Sequence, residues 1–202
     1  MTQTATRLSA EERRRALVDT ALRVFSNGSY RGTTTAEIAH AAGVTEPILY
    51  RHFASKRDLY LAAIDEAWTR LRQELDEAVA SDPDPRAWIP AAARVYVCGR
   101  EAKLRIAELW MQATVEAGDD PEVQRWLKGH MRDVHRYFAD LIRRTQAEGA
   151  VHPDRDADAE AWIFVAGGLL GAIGRRVGGL LSDEDFDRIR ASRRTWMLGE
   201  TA

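Results

Sequence analysis

The chain has one cysteine, Cys98, and three lysines among 202 residues. A lone thiol cannot close an internal disulfide, which excludes a cross-linked secreted scaffold and suits a reducing cytoplasm. The shortage of Lys is offset by 26 Arg, a bias that the base composition of the coding DNA alone can produce. Proline is also sparse, with six residues, so long stretches carry no helix breaker. No segment shows the apolar–polar alternation of a half-buried strand. The opening residues, Met1 to Leu8, are polar and lack the apolar core of a signal peptide. The longest apolar run, Ala161 to Gly174, covers 14 residues and stops at Arg175-Arg176. That is short of the roughly 20 residues a membrane helix needs, so a buried core helix and no membrane segment are expected.

What is present describes a soluble globular chain: 45% apolar and 30% charged residues, enough for one long or two short domains. The net charge of −2 hides an asymmetry. Residues 1–60 hold nine basic and six acidic side chains, whereas residues 61–202 hold twenty against twenty-five. A basic head on an acidic body fits a nucleic-acid-binding domain joined to something else.

Periodicity predicts an all-α protein of about nine helices. The first opens on the Ser9-x-x-Glu12 capping box, buries Leu17, Ala21, Val24 and Phe25, and stops at Asn27-Gly28, read as a left-handed end. Two short helices follow, at about 34–42 and 45–53. A long one from Ser55 to Ala80 carries Leu59, Ala63, Ala67, Leu71 and Leu75 at four-residue spacing, and a Pro/Asp stretch at 81–85 breaks it. Further helices hold Trp88, Ala92 and Val95, run from about Glu101 to Glu116, start at Asp120-Pro121 and end at Gly149, run from about Asp156 to Leu181, and begin at the Ser182 cap.

The most informative stretch is Gly32 to Phe53. Thr34 and Glu37 form a second capping box, Ile38, Ala39 and Ala42 permit close packing, and Gly43 supplies a turn that needs positive φ. Val44, Leu49 and Phe53 can bury the next helix, with Thr45 as its N-cap and Pro47 in its first turn. Thr45, Glu46, Pro47, Ile48, Tyr50, Arg51 and His52 then face outward, as on a helix that enters the major groove. Lys56 adds charge where a DNA strand would pass, and Thr35 joins Thr34 among the candidate contacts. Arg13, Arg14, Arg15 and Arg31 are equally readable as a solvated face or as DNA contacts.

Phe25, Gly32 to Thr34, Ile38, Ala39, Ala42-Gly43-Val44, Leu49-Tyr50-x-His52-Phe53, Ser55-Lys56 and Leu59 resemble the signature of the TetR family of bacterial regulators, over roughly residues 9–60. The resemblance implies an all-α homodimer with a variable C-terminal domain that binds an inducer. It places Thr34, Thr45, Tyr50, His52 and Lys56 on phosphates and Thr45 to Ile48 on bases. Glu46-Pro47 departs from the family pattern, which often has Lys or another residue followed by Gly there. An acid cannot favourably meet phosphate, but it can accept from a cytosine amino group.

Two domains are expected: residues 1–54 as the three-helix DNA-binding head and residues 55–202 for ligand binding and dimerisation, with the helix at 55–80 connecting them. Trp88, Tyr96, Trp110, Met111, His135, Phe138, Trp162 and Phe164 are candidate lining for an apolar effector site, and each is also readable as plain core. Gly167, Gly171, Gly174 and Gly178, with Phe186, Ile189 and Trp196, are candidates for the dimer interface; packing within one subunit is the alternative for the glycines. The glycine series does not follow a strand, so it is not read as a phosphate loop. His130 and His135 do not share a helical face, and Asp154, Asp156 and Asp158 lack the glycine and distal Glu of a calcium loop; no metal, cofactor or catalytic residue is expected.

The function expected is a cytoplasmic transcriptional regulator, a repressor released from a palindromic operator by a small molecule. Its partners are double-stranded DNA, a second copy and an apolar effector. A regulator answering to a protein partner, or to none, is the alternative; an all-helical enzyme is remoter.

Overall fold

The computed structural model describes residues 9–97, 106–117, 120–178 and 180–199, and every regular element among them is a helix. Cys98 and the expected helix start near Glu101 lie outside the described residues. The elements are α1 (Ala10–Asn27), α2 (Thr35–Ala41), α3 (Glu46–Tyr50), α4 (Lys56–Ala80), α5 (Pro85–Tyr96), α6 (Ile106–Ala117), α7 (Pro121–Ala147), α8 (Ala157–Val177) and α9 (Asp183–Leu198). The chain divides into two compact units, Met1–Trp68 and Thr69–Ala202, with the division inside α4.

In the first unit α1 starts as its sequence dictates: Ser9 Oγ accepts from Glu12 N at 3.2 Å and Glu12 Oε2 accepts from Ser9 N at 2.7 Å. Leu17, Ala21 and Phe25 are buried, as are Ile38 and Ala39 of α2, Leu49 of α3, Phe53, and Leu59, Tyr60, Ala63 and Ile64 of α4. The rings of Phe25, Tyr30 and Tyr60 pack together, Tyr60 lying 4.8 Å from each of the other two. Gly28 corrects the expectation of a left-handed helix end, since its φ is −123°. Glycine is suited there by space, because a Cβ would sit 3.2 Å from Thr33 Oγ1 and 3.3 Å from the Val24 carbonyl. The exposed end is met instead by Asn27, whose side-chain amide donates to the Arg23 carbonyl.

The second unit is built on α7, which packs against α5, α6 and α8. Asp120 caps its start and Pro121 occupies its first turn; Gly149, at φ 70°, turns the chain beyond its end. Val123, Leu127, Val134, Phe138, Leu141 and Ile142 form its buried stripe. Phe138 lies 4.8 Å from the Tyr96 ring on α5 and 5.0 Å from Phe164 on α8. His130 stacks on Trp126 and meets the edge of Trp110 on α6. Asp156 caps α8 through the amides of Asp158 and Ala159, the structural role weighed against a calcium loop.

Two boundaries differ from the sequence reading. α3 stops at Tyr50 rather than near Phe53, with turn geometry at 51–52. α8 stops at Val177, where Gly178 takes φ 71°. The apolar stretch of α8 is also longer than the run of 14 residues: Ala157–Gly174 is long and apolar enough, by length and composition, to cross a bilayer. The added turn comes from alanines that dilute Asp158 and Glu160. Glu160 is buried, paired with Arg193 and accepting from the Trp196 indole at 2.7 Å, so this end of α8 is packed as protein.

Candidate nucleic-acid interface

The interface begins at the turn between α2 and α3. Thr34 caps α2, accepting from Glu37 N at 3.1 Å while Glu37 Oε2 accepts from Thr34 N at 2.8 Å. These bonds hold the Glu37 carboxyl below the usual carboxylate range, the backbone bond having the largest effect. Gly43 takes φ 67°, and Val44 N donates to the Ala39 carbonyl, fixing the reversal. Thr45 stands at the N-cap of α3, yet its side chain makes no capping bond. With Pro47 in the first turn and Leu49 fully buried, α3 is anchored along one side only.

The other side is open. Thr34, Thr45, Pro47, Tyr50 and Arg51 are exposed, Glu46, Ile48, His52 and Lys56 are half-buried, and Thr35 is buried. The expected contact residues therefore gather around α3, with Thr35 beneath the surface they form. Thr35 Oγ1 donates to Glu46 Oε1 and lies 3.2 Å from the Tyr50 hydroxyl, an arrangement the sequence does not disclose. Tyr30 is a second residue that sequence reasoning passed over: the Lys56 ammonium sits 4.3 Å from its ring centroid. Of the arginines left open, Arg14 lies over the Phe53 ring at 4.7 Å and Arg15 pairs with Glu11.

The second unit sorts the candidate ligand residues by burial. Trp110 and Phe138 are fully enclosed and Tyr96 nearly so. Trp88, Met111, His135 and Phe164 are partly covered, and Trp162 is exposed on α8, its ring stacked 4.3 Å from His135. His135 Nε2 lies 2.9 Å from the Asp158 carbonyl, so the two histidines of α7 serve different neighbours. The Trp88 indole donates to the Asp82 carbonyl. The Tyr96 hydroxyl and Trp110 Nε1 are buried with no hydrogen-bond partner among the described residues. Burial pushes the Tyr96 phenol far above its ordinary range.

The glycines of α8 mostly face inward. Gly171 is buried, Gly168 lies against the Tyr96 ring, and a Cβ on Gly167 would meet Val97 at 3.5 Å. Gly174 has open space beside it, and Gly178 lies just past the helix end. What α8 leaves exposed is an apolar row not singled out from the sequence: Ile163, Ala166, Leu170, Ile173 and Val177. On α9, Ile189 and Trp196 are exposed and Phe186 is half-buried.

Comparison with known proteins places these features. The model of the TetR family of bacterial regulatory proteins matches residues 17–63. The chain is 29% identical over 123 residues to the HTH-type transcriptional regulator BetI of Brucella anthropi, covering 61% of this chain and 63% of that protein. It is 37% identical over 90 residues to the HTH-type transcriptional activator FasR of Mycolicibacterium smegmatis, covering 45% and 41%. The matches thus span less than two thirds of either relative. A solved transcriptional-regulator structure from Saccharomonospora viridis, in complex with choline, superposes with a TM-score of 0.70 at 25% identity, covering 92% of this chain and 96% of that one. The capping box, the Gly43 turn and the one-sided α3 all lie inside residues 17–63, the segment that matches the TetR family of bacterial regulatory proteins.

Proposed function

We propose that the protein is a homodimeric, cytoplasmic transcriptional regulator that binds a palindromic operator through α3 and is released from it by a small molecule. The observation that carries the reading is the division of α3 into a buried anchor, Leu49, and an open face bearing Thr45, Pro47 and Tyr50. A helix so anchored can enter the major groove with its N-terminal residues on base edges. Thr34, Thr45, Tyr50, Arg51, His52 and Lys56 suit phosphate oxygens; Glu46, Pro47 and Ile48 lie where bases are read. The relatives named above are regulators rather than enzymes, which supports the same reading.

The effector belongs in the second unit, residues 69–202. An unsatisfied buried polar group costs about 1–3 kcal/mol, and among the described residues the Tyr96 hydroxyl and Trp110 indole are two such groups amid apolar side chains. A mostly apolar molecule with a hydrogen-bond acceptor would satisfy either. The Saccharomonospora viridis protein, bound to choline, supports a small-molecule site in this fold. Dimerisation is assigned to α8 and α9, through the outward row Ile163, Leu170, Ile173 and Val177 with Ile189 and Trp196. The glycines on the inner side of α8 serve packing within the subunit.

The test is enrichment of duplexes from a randomised DNA pool by the purified protein. One palindrome, bound with affinity that falls steeply with salt, is the expected result. Retention of no preferred sequence would overturn the proposal.

A further inference from the structure

We infer that Thr35 is a positioning residue for base recognition, fixing the Glu46 carboxylate as a directed acceptor for an exocyclic base amine. The inference rests on the reading that α3 docks against DNA.

Thr35 is only 8% exposed, too enclosed to reach a phosphate itself. Its backbone is set by the capping box of Thr34 and Glu37 immediately before it. From there Oγ1 donates to Glu46 Oε1 and lies 3.2 Å from the Tyr50 hydroxyl. A threonine hydroxyl has one hydrogen. With that hydrogen on the carboxylate, the bond across the 3.2 Å between Oγ1 and the Tyr50 hydroxyl is donated by Tyr50. The three groups form a directed chain, Tyr50 to Thr35 to Glu46, in which each bond polarises the next.

Two consequences follow for recognition. A free glutamate must surrender rotamer freedom when it meets a base; here Thr35 has already ordered it by engaging Oε1, so that Oε2 is the oxygen a base amine would use. A carboxylate oxygen accepts from the N4 amine of cytosine and repels phosphate, so it selects rather than adheres. Tyr50, meanwhile, spends its only hydrogen on Thr35. It can donate to a phosphate only by releasing that bond, so Thr35 tempers the affinity of Tyr50 for the backbone while it sharpens the choice made by Glu46.

The experiment compares wild type, Thr35→Val, Thr35→Ser, Glu46→Ala and Glu46→Gln on a randomised duplex pool, with thermal melting and non-specific binding measured alongside. Glu46→Ala identifies the base pair that the carboxylate reads. At that pair Thr35→Val should lose about fivefold or more in preference, the scale of one base contact. Thr35→Ser should keep the preference. Non-specific affinity of Thr35→Val should be equal to wild type or higher. Glu46→Gln, with Thr35 holding the amide oxygen, should present its NH2 outward and move the preference to a base with an acceptor there. The inference is overturned if Thr35→Val retains the wild-type preference, if it weakens all sequences alike, if Thr35→Ser loses as much as Thr35→Val, or if Glu46→Gln leaves the preferred base unchanged. The Glu46→Gln result also decides the matter should Thr35→Val melt early. A wild type that enriches no sequence would instead overturn the proposed function.

Discussion

Tyr50 and Lys56 stand on the edges of α3 and α4 that flank the open face, whereas Glu46 and Ile48 stand in its first turn. Phosphate contacts position and base contacts specify, so the two pairs should fail differently. Tyr50→Ala or Lys56→Ala should weaken binding to all sequences, Lys56→Ala also flattening the salt dependence because it removes a charge, while Ile48→Ala should change the preferred base by about 1–3 kcal/mol. Titrations of operator and scrambled duplexes distinguish these outcomes; equal losses for Lys56→Ala and the remote Lys128→Ala would contradict the orientation. A further residue-scale expectation concerns acid. The Glu37 carboxyl is held below its ordinary value by the Thr34 amide, so this bond stabilises the start of α2 fully above that ordinary value. The contribution is lost as pH falls through the depressed value. Protection of the Thr34 amide, taken relative to its intrinsic exchange rate at each pH, should fall over that interval in wild type, and Glu37→Gln should remove the interval. The capping box itself was legible in the spacing of Thr34 and Glu37. Thr35 was not, because the reach of its hydroxyl to residues eleven and fifteen positions away depends on how α2 and α3 pack, which no local pattern encodes.

The helices were largely legible because caps and periodicity agree at most of their ends: Ser9, Thr34, Asp120 and Ser182 each begin a helix where expected. α8 was the least legible element. It is apolar almost all round, so its sequence does not disclose which side faces the protomer. The glycines suggest a close-packing face, readable as a dimer seam or as packing within one subunit, and at Gly168 the Tyr96 ring lies against it. Gly168 shows the physical reason: an added Cβ would lie 2.4 Å from Tyr96 Cε1 and 2.6 Å from Cζ. The ring cannot easily yield, since Phe138 packs 4.8 Å from it on the far helix. Gly168→Ala should therefore destabilise the second unit by about 1–3 kcal/mol, the usual cost of overpacking, and Gly174→Ala, with open space, should not. Denaturant melts of the two variants check this. A melt of Gly168→Ala equal to that of Gly174→Ala would show that the helices separate more readily than their packing implies.

At the scale of the whole molecule, the exposed row on α8 and the effector site should act together. Arg in place of Ile173, which points outward, tests the dimer without disturbing the core, whereas Arg at the buried Gly171 would confound the two. Ile173→Arg should sediment as a folded monomer and bind the palindrome poorly, because a two-fold dimer alone presents two recognition helices one DNA turn, about 34–36 Å, apart. A variant that stays dimeric would move the interface elsewhere. Release by an effector then needs no new contact with DNA. It needs a molecule that binds the second unit better in dimers whose helices do not match that spacing. About a hundredfold loss of operator affinity corresponds to near 2.7 kcal/mol of coupling, and coupling is reciprocal. Any compound that raises the melting temperature and lowers operator affinity should thus bind the operator complex more weakly by the same factor. Calorimetric titration with and without the duplex measures both arms. A compound whose own affinity is unchanged by DNA would show that its site and α3 are energetically separate, leaving DNA binding intact and the inducer model refuted.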